Sequence, residues 1–208
     1  NGYKQFTIPV YQRPYSWGIE QCKKLWEDIV SMQKQNRMGH FVGSIVNIAE
    51  QTMPTGVQKF MIIDGQQRIT TLTLLLIALR DYGYEYKEDK SINPHGINGM
   101  CIQNEYENGE NKYKLLLTKN DKDVLMKLID KAPINELKNS KIIDNYNFFR
   151  ERIDKKELTP FEILEAVGKL QIVNITLDRV QDDPQLIFES LNSTGMDLSN
   201  SDLIRNYM

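Results

Sequence analysis

Asp64, Gly65, Gln66, Gln67 and Arg68 stand consecutively, and their types suit phosphoryl chemistry. A carboxylate can hold a metal ion, amides can orient a water, and a guanidinium can neutralise phosphate oxygens. Gly65 permits a sharp reversal, and Thr70 and Thr71 place hydroxyls one helical turn further on. A second group lies near the start of the chain, in Tyr11-Gln12-Arg13-Pro14-Tyr15-Ser16-Trp17. There Arg13 can reach a phosphate or a base edge, and Tyr11 or Tyr15 can stack on a base. A third set, Asn192, Asp202, Arg205 and Asn206, follows near the other end of the chain and could point back at a ligand. Each group also has a plainer reading. Asp64 could merely cap a helix beside solvated glutamines and a solvent-facing Arg68. The aromatic segment could be a packed corner with Tyr15 and Trp17 in the core. Asn192 to Gly195 could be a helix-stop turn and Asp202 a cap.

The elements that must position these residues are legible from periodicity. Phe60 to Ile63 is a short apolar run of strand length, and from Ile69 the apolar positions switch to helical spacing through Leu72, Leu76 and Leu79. The spacing predicts a strand, a polar turn and a helix from near Gln67 to about Asp81. Such a helix start offers unpaired N–H groups and a partial positive charge to an anion. Phe6 to Val10 reads as an edge strand because Pro9 cannot donate to a ladder. A helix from Gly18 to Gln35, capped by Ser16, follows from Cys22, Leu25, Trp26, Ile29 and Met32. His40 to Ile48 is apolar on both faces and reads as a central strand, joined to the next strand as a hairpin. Gly83 to Lys112 is polar and weakly periodic, a natural boundary. Beyond it the expectation is a strand near Tyr113 to Leu117, a helix capped by Asn120 or Asp121, a helix over Ile142 to Ile153, and a capping box at Thr159-Pro160-Phe161-Glu162. A strand then covers Val173 to Leu177, and Asp183-Pro184 starts a further helix. The fold class expected is α+β, with an α/β unit over 1–85 and a mainly helical region over 86–208.

The 208 residues carry 26 Lys and Arg against 28 Asp and Glu, a net charge of −2, so no global positive field draws nucleic acid. Contact with DNA must come from a local patch. Cys22 and Cys101 have no C-x-x-C spacing, and His40 and His95 are far apart, which argues against a zinc site or a disulfide framework and fits a reducing cytoplasm. No signal peptide or membrane-length apolar run is present. The start at Asn1 and the stop at Met208 inside a helical pattern suggest an excised fragment.

Three motifs in fixed order carry a family resemblance: Ile8-Pro9-Val10-Tyr11-Gln12-Arg13-Pro14-Tyr15-Ser16-Trp17, Asp64-Gly65-Gln66-Gln67-Arg68-Ile69-Thr70-Thr71-Leu72, and Phe188 to Gly195 with Leu198-Ser199 and Asp202 to Asn206. Over nearly the whole chain they resemble the bacterial family at the N-terminus of GmrSD-type modification-dependent restriction enzymes, itself similar to the ParB and sulfiredoxin superfamily. The resemblance implies a ParB-like small mixed sheet with helices, in which the Asp-Gly-Gln-Gln-Arg turn handles phosphate. It also implies nucleoside triphosphate hydrolysis coupled to restriction of modified phage DNA, with a C-terminal HNH-type nuclease domain or partner subunit.

The leading functional expectation is therefore a nucleotide-hydrolysing sensor domain that uses Mg²⁺ with a nucleoside triphosphate. Arg68 and nearby N–H groups take the phosphates, Asp64 the metal, and Gln66 or Gln67 the attacking water; Arg13 is a second phosphate ligand. The chain lacks G-x-x-x-x-G-K-[ST], which excludes a P-loop NTPase. The alternatives are a metal-dependent nuclease at the same turn and a non-enzymatic DNA-recognition module built on the Arg13 loop.

Overall fold

The structure, a computed structural model, describes residues 3–50, 56–133 and 140–177. Its elements follow as β1 (Lys4–Thr7), α1 (Ile19–Lys34), β2 (His40–Ala49), β3 (Gln58–Asp64), α2 (Gln66–Glu85), short α3 (Pro94–Ile97), β4 (Leu115–Leu116), α4 (Lys119–Ile129), α5 (Lys141–Asp154), α6 (Pro160–Gly168) and β5 (Leu170–Leu177). One five-stranded mixed sheet runs β4-β1-β3-β2-β5. β1 is parallel to β3 and β4, β2 is antiparallel to β3 and parallel to β5. The fold is mixed α/β, as expected, and strands from beyond residue 85 complete the sheet.

β1 departs from the edge-strand expectation. It ends at Thr7, before Pro9, so the missing proline N–H never falls in the ladder. β1 is thus interior, and beyond it the N–H of Ile8 still donates to the Leu116 carbonyl at 2.9 Å. The helices pack their apolar residues onto one cluster with the sheet: Cys22, Trp26, Ile29 and Met32 from α1, Leu74, Leu75, Ile77 and Leu79 from α2, Phe149 and Ile153 from α5. Each such side chain withdrawn from water contributes about 1.5–3 kcal/mol before conformational entropy is set against it.

α2 runs to Glu85, four residues past the expected end near Asp81. Arg80 and Asp81 look like a solvated helix end but are buried, because they satisfy each other. Arg80 Nε donates to Asp81 Oδ1 at 2.9 Å and its Nη1 to Asn98 Oδ1 at 3.0 Å, while the Tyr146 hydroxyl donates to Asp81 Oδ2 at 2.9 Å. A buried ion pair survives only when such partners are supplied. The segment read as a boundary contains α3, a π-turn over Asn98–Ile102 and a 3₁₀ turn over Gly109–Lys112. At α6 the capping box forms as expected, with Glu162 N–H donating to Thr159 Oγ1 and Thr159 N–H to Glu162 Oε2. The expected helix after Asp183 lies outside the described residues.

Strand direction places the chemistry. The carboxyl ends of β1, β3 and β4 share one end of the sheet, where ligands of open α/β sheets commonly bind. The Tyr11–Trp17 loop, the Gly65 turn and the corner leading into α4 all leave from there. Antiparallel β2 brings its opening residues, Gly43 and Ser44, to the same end.

Candidate functional site

Gly65 is the N-cap of α2, with φ +91 and ψ 7, a left-handed conformation in which a side chain is strained. A Cβ here would also lie 2.8 Å from the Ser44 carbonyl oxygen, so the turn is seated directly on β2. The expected cap, Asp64, is instead the last residue of β3, and no side chain caps α2. Among the described residues the opening N–H groups of this 20-residue helix thus have no side-chain acceptor. Asp64 is half-buried, and its carboxylate has no hydrogen bond or ion pair among the described residues.

Gln66 is buried to 8% exposure, yet its amide also has no partner there. It lines a small cleft of about 10 Å³ with Arg13, Thr70, Thr118 and Asp121. Arg13 is exposed and forms no ion pair among the described residues. Gln67, by contrast, is a clamp. Its Oε1 accepts from Ser16 N–H at 2.7 Å and Trp17 N–H at 3.1 Å, and its Nε2 donates to the Pro14 carbonyl at 3.2 Å. Ser16 therefore does not cap α1; Gly18 does, donating its N–H to Gln21 Oε1.

The rest of the aromatic loop is likewise fastened down. Gln12 Nε2 donates to the Ile63 carbonyl at 2.7 Å, tying the loop to the end of β3. Tyr15 is buried, its hydroxyl 2.6 Å from Thr71 Oγ1 and accepting from Asn145 Nδ2 at 2.8 Å. Burial drives its phenol pKa upward. Tyr15 thus sits in the core, whereas Tyr11 is 38% exposed and its hydroxyl donates to Met61 Sδ at 3.9 Å. Thr70 and Thr71 are buried and donate to the Gln66 and Gln67 carbonyls one turn back.

Arg68 is half-buried, not solvent-facing. Its Nη1 donates to the Ser44 carbonyl, and its guanidinium lies over Gly43, where a Cβ would meet Cζ at 2.7 Å. The helix start is therefore flanked by Arg13 and the cleft on the β1 side and by Arg68 on the β2 side. Asn192, Asp202, Arg205 and Asn206 lie outside the described residues.

Asp121 was expected only as a possible cap. The N-cap of α4 is Thr118, whose side chain makes no capping bond, and Asp121 stands within the first turn. Its Oδ2 accepts from Tyr15 N–H at 2.8 Å, and burial raises its pKa above the ordinary aspartate value. Sequence spacing gave no signal that this residue reaches a loop 106 positions away. A larger cleft of about 430 Å³ lies at the other end of α2, beside Tyr84 and His95. Its one carboxylate, Asp89, is bonded to Ser91 N–H and the Tyr82 hydroxyl, and the Tyr84 hydroxyl is 3.2 Å from His95 Nδ1.

Among the described residues no group of three or more His, Cys, Asp or Glu is gathered for a metal. Asp64 alone fits a magnesium ion that arrives with phosphates, since Mg²⁺ keeps several waters and often takes one or two carboxylates. No helix of the described residues is long and apolar enough to cross a membrane.

Fold and site together define a mixed α/β domain in which Arg13, Asp64 and Gln66, without side-chain partners among the described residues, lie at the carboxyl ends of its parallel strands. Over residues 1–208 the chain matches the family described as GmrSD restriction endonuclease, N-terminal domain, and it belongs to that family. Its setting is therefore DNA restriction. No curated protein matches the chain.

Proposed function

We propose that this domain binds and hydrolyses a nucleoside triphosphate, as the regulatory part of a restriction protein that acts on modified phage DNA. One observation carries the reading: the uncapped start of α2 is accompanied by Arg13, Asp64 and Gln66, three polar side chains without partners among the described residues. Gln66 is only 8% exposed as a residue, and its amide, left without a protein partner among the described residues, opens onto the cleft beside two charged side chains, a combination that suits a ligand.

In this reading the α2 N–H groups, Arg13 and Arg68 hold the phosphates from two sides. Gln66 orients the attacking water, and Gln67 keeps the Arg13 loop in position. Asp64 would hold Mg²⁺, which supplies charge neutralisation at the phosphates when bound. The ring of Tyr11 serves as the base-stacking face. The Asp-Gly-Gln-Gln-Arg turn on a mixed sheet is ParB-like, DNA is a partner of the full-length protein, and the effector is a C-terminal HNH-type nuclease domain or partner subunit. A nuclease at this turn is the weaker reading, because two-metal cleavage calls for several gathered carboxylates, which the described residues lack.

Calorimetric titration with a non-hydrolysable triphosphate analogue and Mg²⁺ tests the binding step. Saturable binding that Arg13→Ala weakens by tenfold or more supports the reading, and no heat with any nucleotide contradicts it.

A further inference from the structure

The cleft beside Gln66 has a size that decides what it can hold. About 10 Å³ is near the least that accommodates one water molecule, and far below what a phosphate group needs. Its lining offers the two to four polar partners that a buried water requires: the Gln66 amide, the Asp121 carboxylate, and the Thr70 and Thr118 side chains. Charge points the same way, because an anion would meet the Asp121 carboxylate. One oxygen of that carboxylate is fixed by Tyr15 N–H, which orients the other.

We propose that Asp121 is the general base of the hydrolytic reaction, gripping with Gln66 the water that attacks the terminal phosphate. This rests on the nucleotide-hydrolase reading and adds a catalytic residue to it. Asp121 takes a proton from the water as its oxygen bonds to the terminal phosphorus. The bond from that phosphorus to the bridging oxygen breaks, the electron pair leaves with the nucleoside diphosphate, and the proton passes on to the released phosphate. Placement supports the role, since the cleft adjoins the helix start assigned to the phosphates. A raised pKa suits a base, and Arg13 is the other charged side chain that lines the cleft.

The test is Asp121→Asn, which keeps an oxygen to accept Tyr15 N–H. Expected are binding of the triphosphate analogue within about twofold of the parent, a melt at the assay pH no lower than the parent's, and a kcat lower by 10²–10⁴-fold. The parent's kcat should fall on the acid side with an apparent pKa above the usual aspartate value, and the variant should lose that limb. A variant that hydrolyses at the parental rate with the same acid limb overturns the assignment and leaves the cleft structural. A parent that binds no nucleotide overturns the underlying reading, and the role of Asp121 with it. Should the variant melt early, the parent's profile decides: an acid limb supports the base, and a rate flat to about pH 4 overturns it.

Discussion

The guanidinium of Arg68 lies directly over the backbone of Gly43, so close that a single methyl group on Gly43 would stand 2.7 Å from its Cζ. Gly43 has φ +112 at an irregularity in the β2–β5 pairing, a backbone that L side chains rarely adopt. The two facts make β2 the seat of Arg68. Gly43→Ala should therefore cost about 1–3 kcal/mol of stability from the backbone alone. It should also displace Arg68 and slow phosphate release. A variant that melts within a degree of the parent, by calorimetry, would show that the bulge relaxes and that Gly43 does not set this contact.

Gln67 is expected to matter for architecture. Gln67→Ala leaves the N–H groups of Ser16 and Trp17 without their acceptor, and since Ser16 is exposed and Trp17 half-buried the cost is that of ordinary hydrogen bonds, about 0.5–1.5 kcal/mol each. Denaturant melts should show the loss, and proteolysis should cut first in the Tyr11–Trp17 loop. Parental stability with an intact loop would refute the clamp.

The elements were legible where one local rule dominated. The Thr159 capping box, the α1 stripe and the strand, turn and helix around Gly65 follow from spacing and glycine. What escaped reading depended on partners distant in sequence. Arg80 and Asp81 have the composition of a helix end, and distant Asn98, Lys131 and Tyr146 make their burial tolerable. In the site, spacing singled out the Asp64–Arg68 turn and the Arg13 loop, but not the division of labour between adjacent glutamines. Gln67 meets the loop and Gln66 meets the cleft because neighbouring helix positions point about 100° apart. Asp121 was invisible as a site residue because nothing local connects it to Tyr15.

The Asp121 carboxyl also gives a pH signature in stability. Its folded pKa is raised by burial, so between the unfolded and folded values the native state binds more protons, and its contribution to stability falls as pH rises through that window. Asp121→Asn removes the titration. Relative to the parent, the variant should therefore be more stable at neutral pH than at about pH 4, in paired thermal melts. An identical difference at both pH values would contradict this.

The thiols should separate by burial. Cys22 is fully buried, with its thiol pushed up to about 12, so roughly 10⁻⁴ of it is thiolate at about pH 8. Cys101 is exposed. Iodoacetamide should label Cys101 in the folded protein and Cys22 only after denaturation, as peptide mass mapping would show. Rapid native labelling of Cys22 would place α1 differently from its packed position.

The central claim is hydrolysis at the start of α2, and phosphate release by Arg68→Ala beside the parent, across a panel of nucleoside triphosphates with Mg²⁺, tests it most directly. The variant loses its bond to the Ser44 carbonyl, so a stability loss of up to about 3 kcal/mol is expected. That loss is separable from chemistry if the assay is run well below the variant's melting temperature. The account requires a parent that releases phosphate and a folded variant slower by roughly 10³–10⁵, the worth of an arginine acting on phosphoryl-transfer charge. A folded variant that hydrolyses at the parental rate, or a parent that releases no phosphate from any triphosphate, contradicts it.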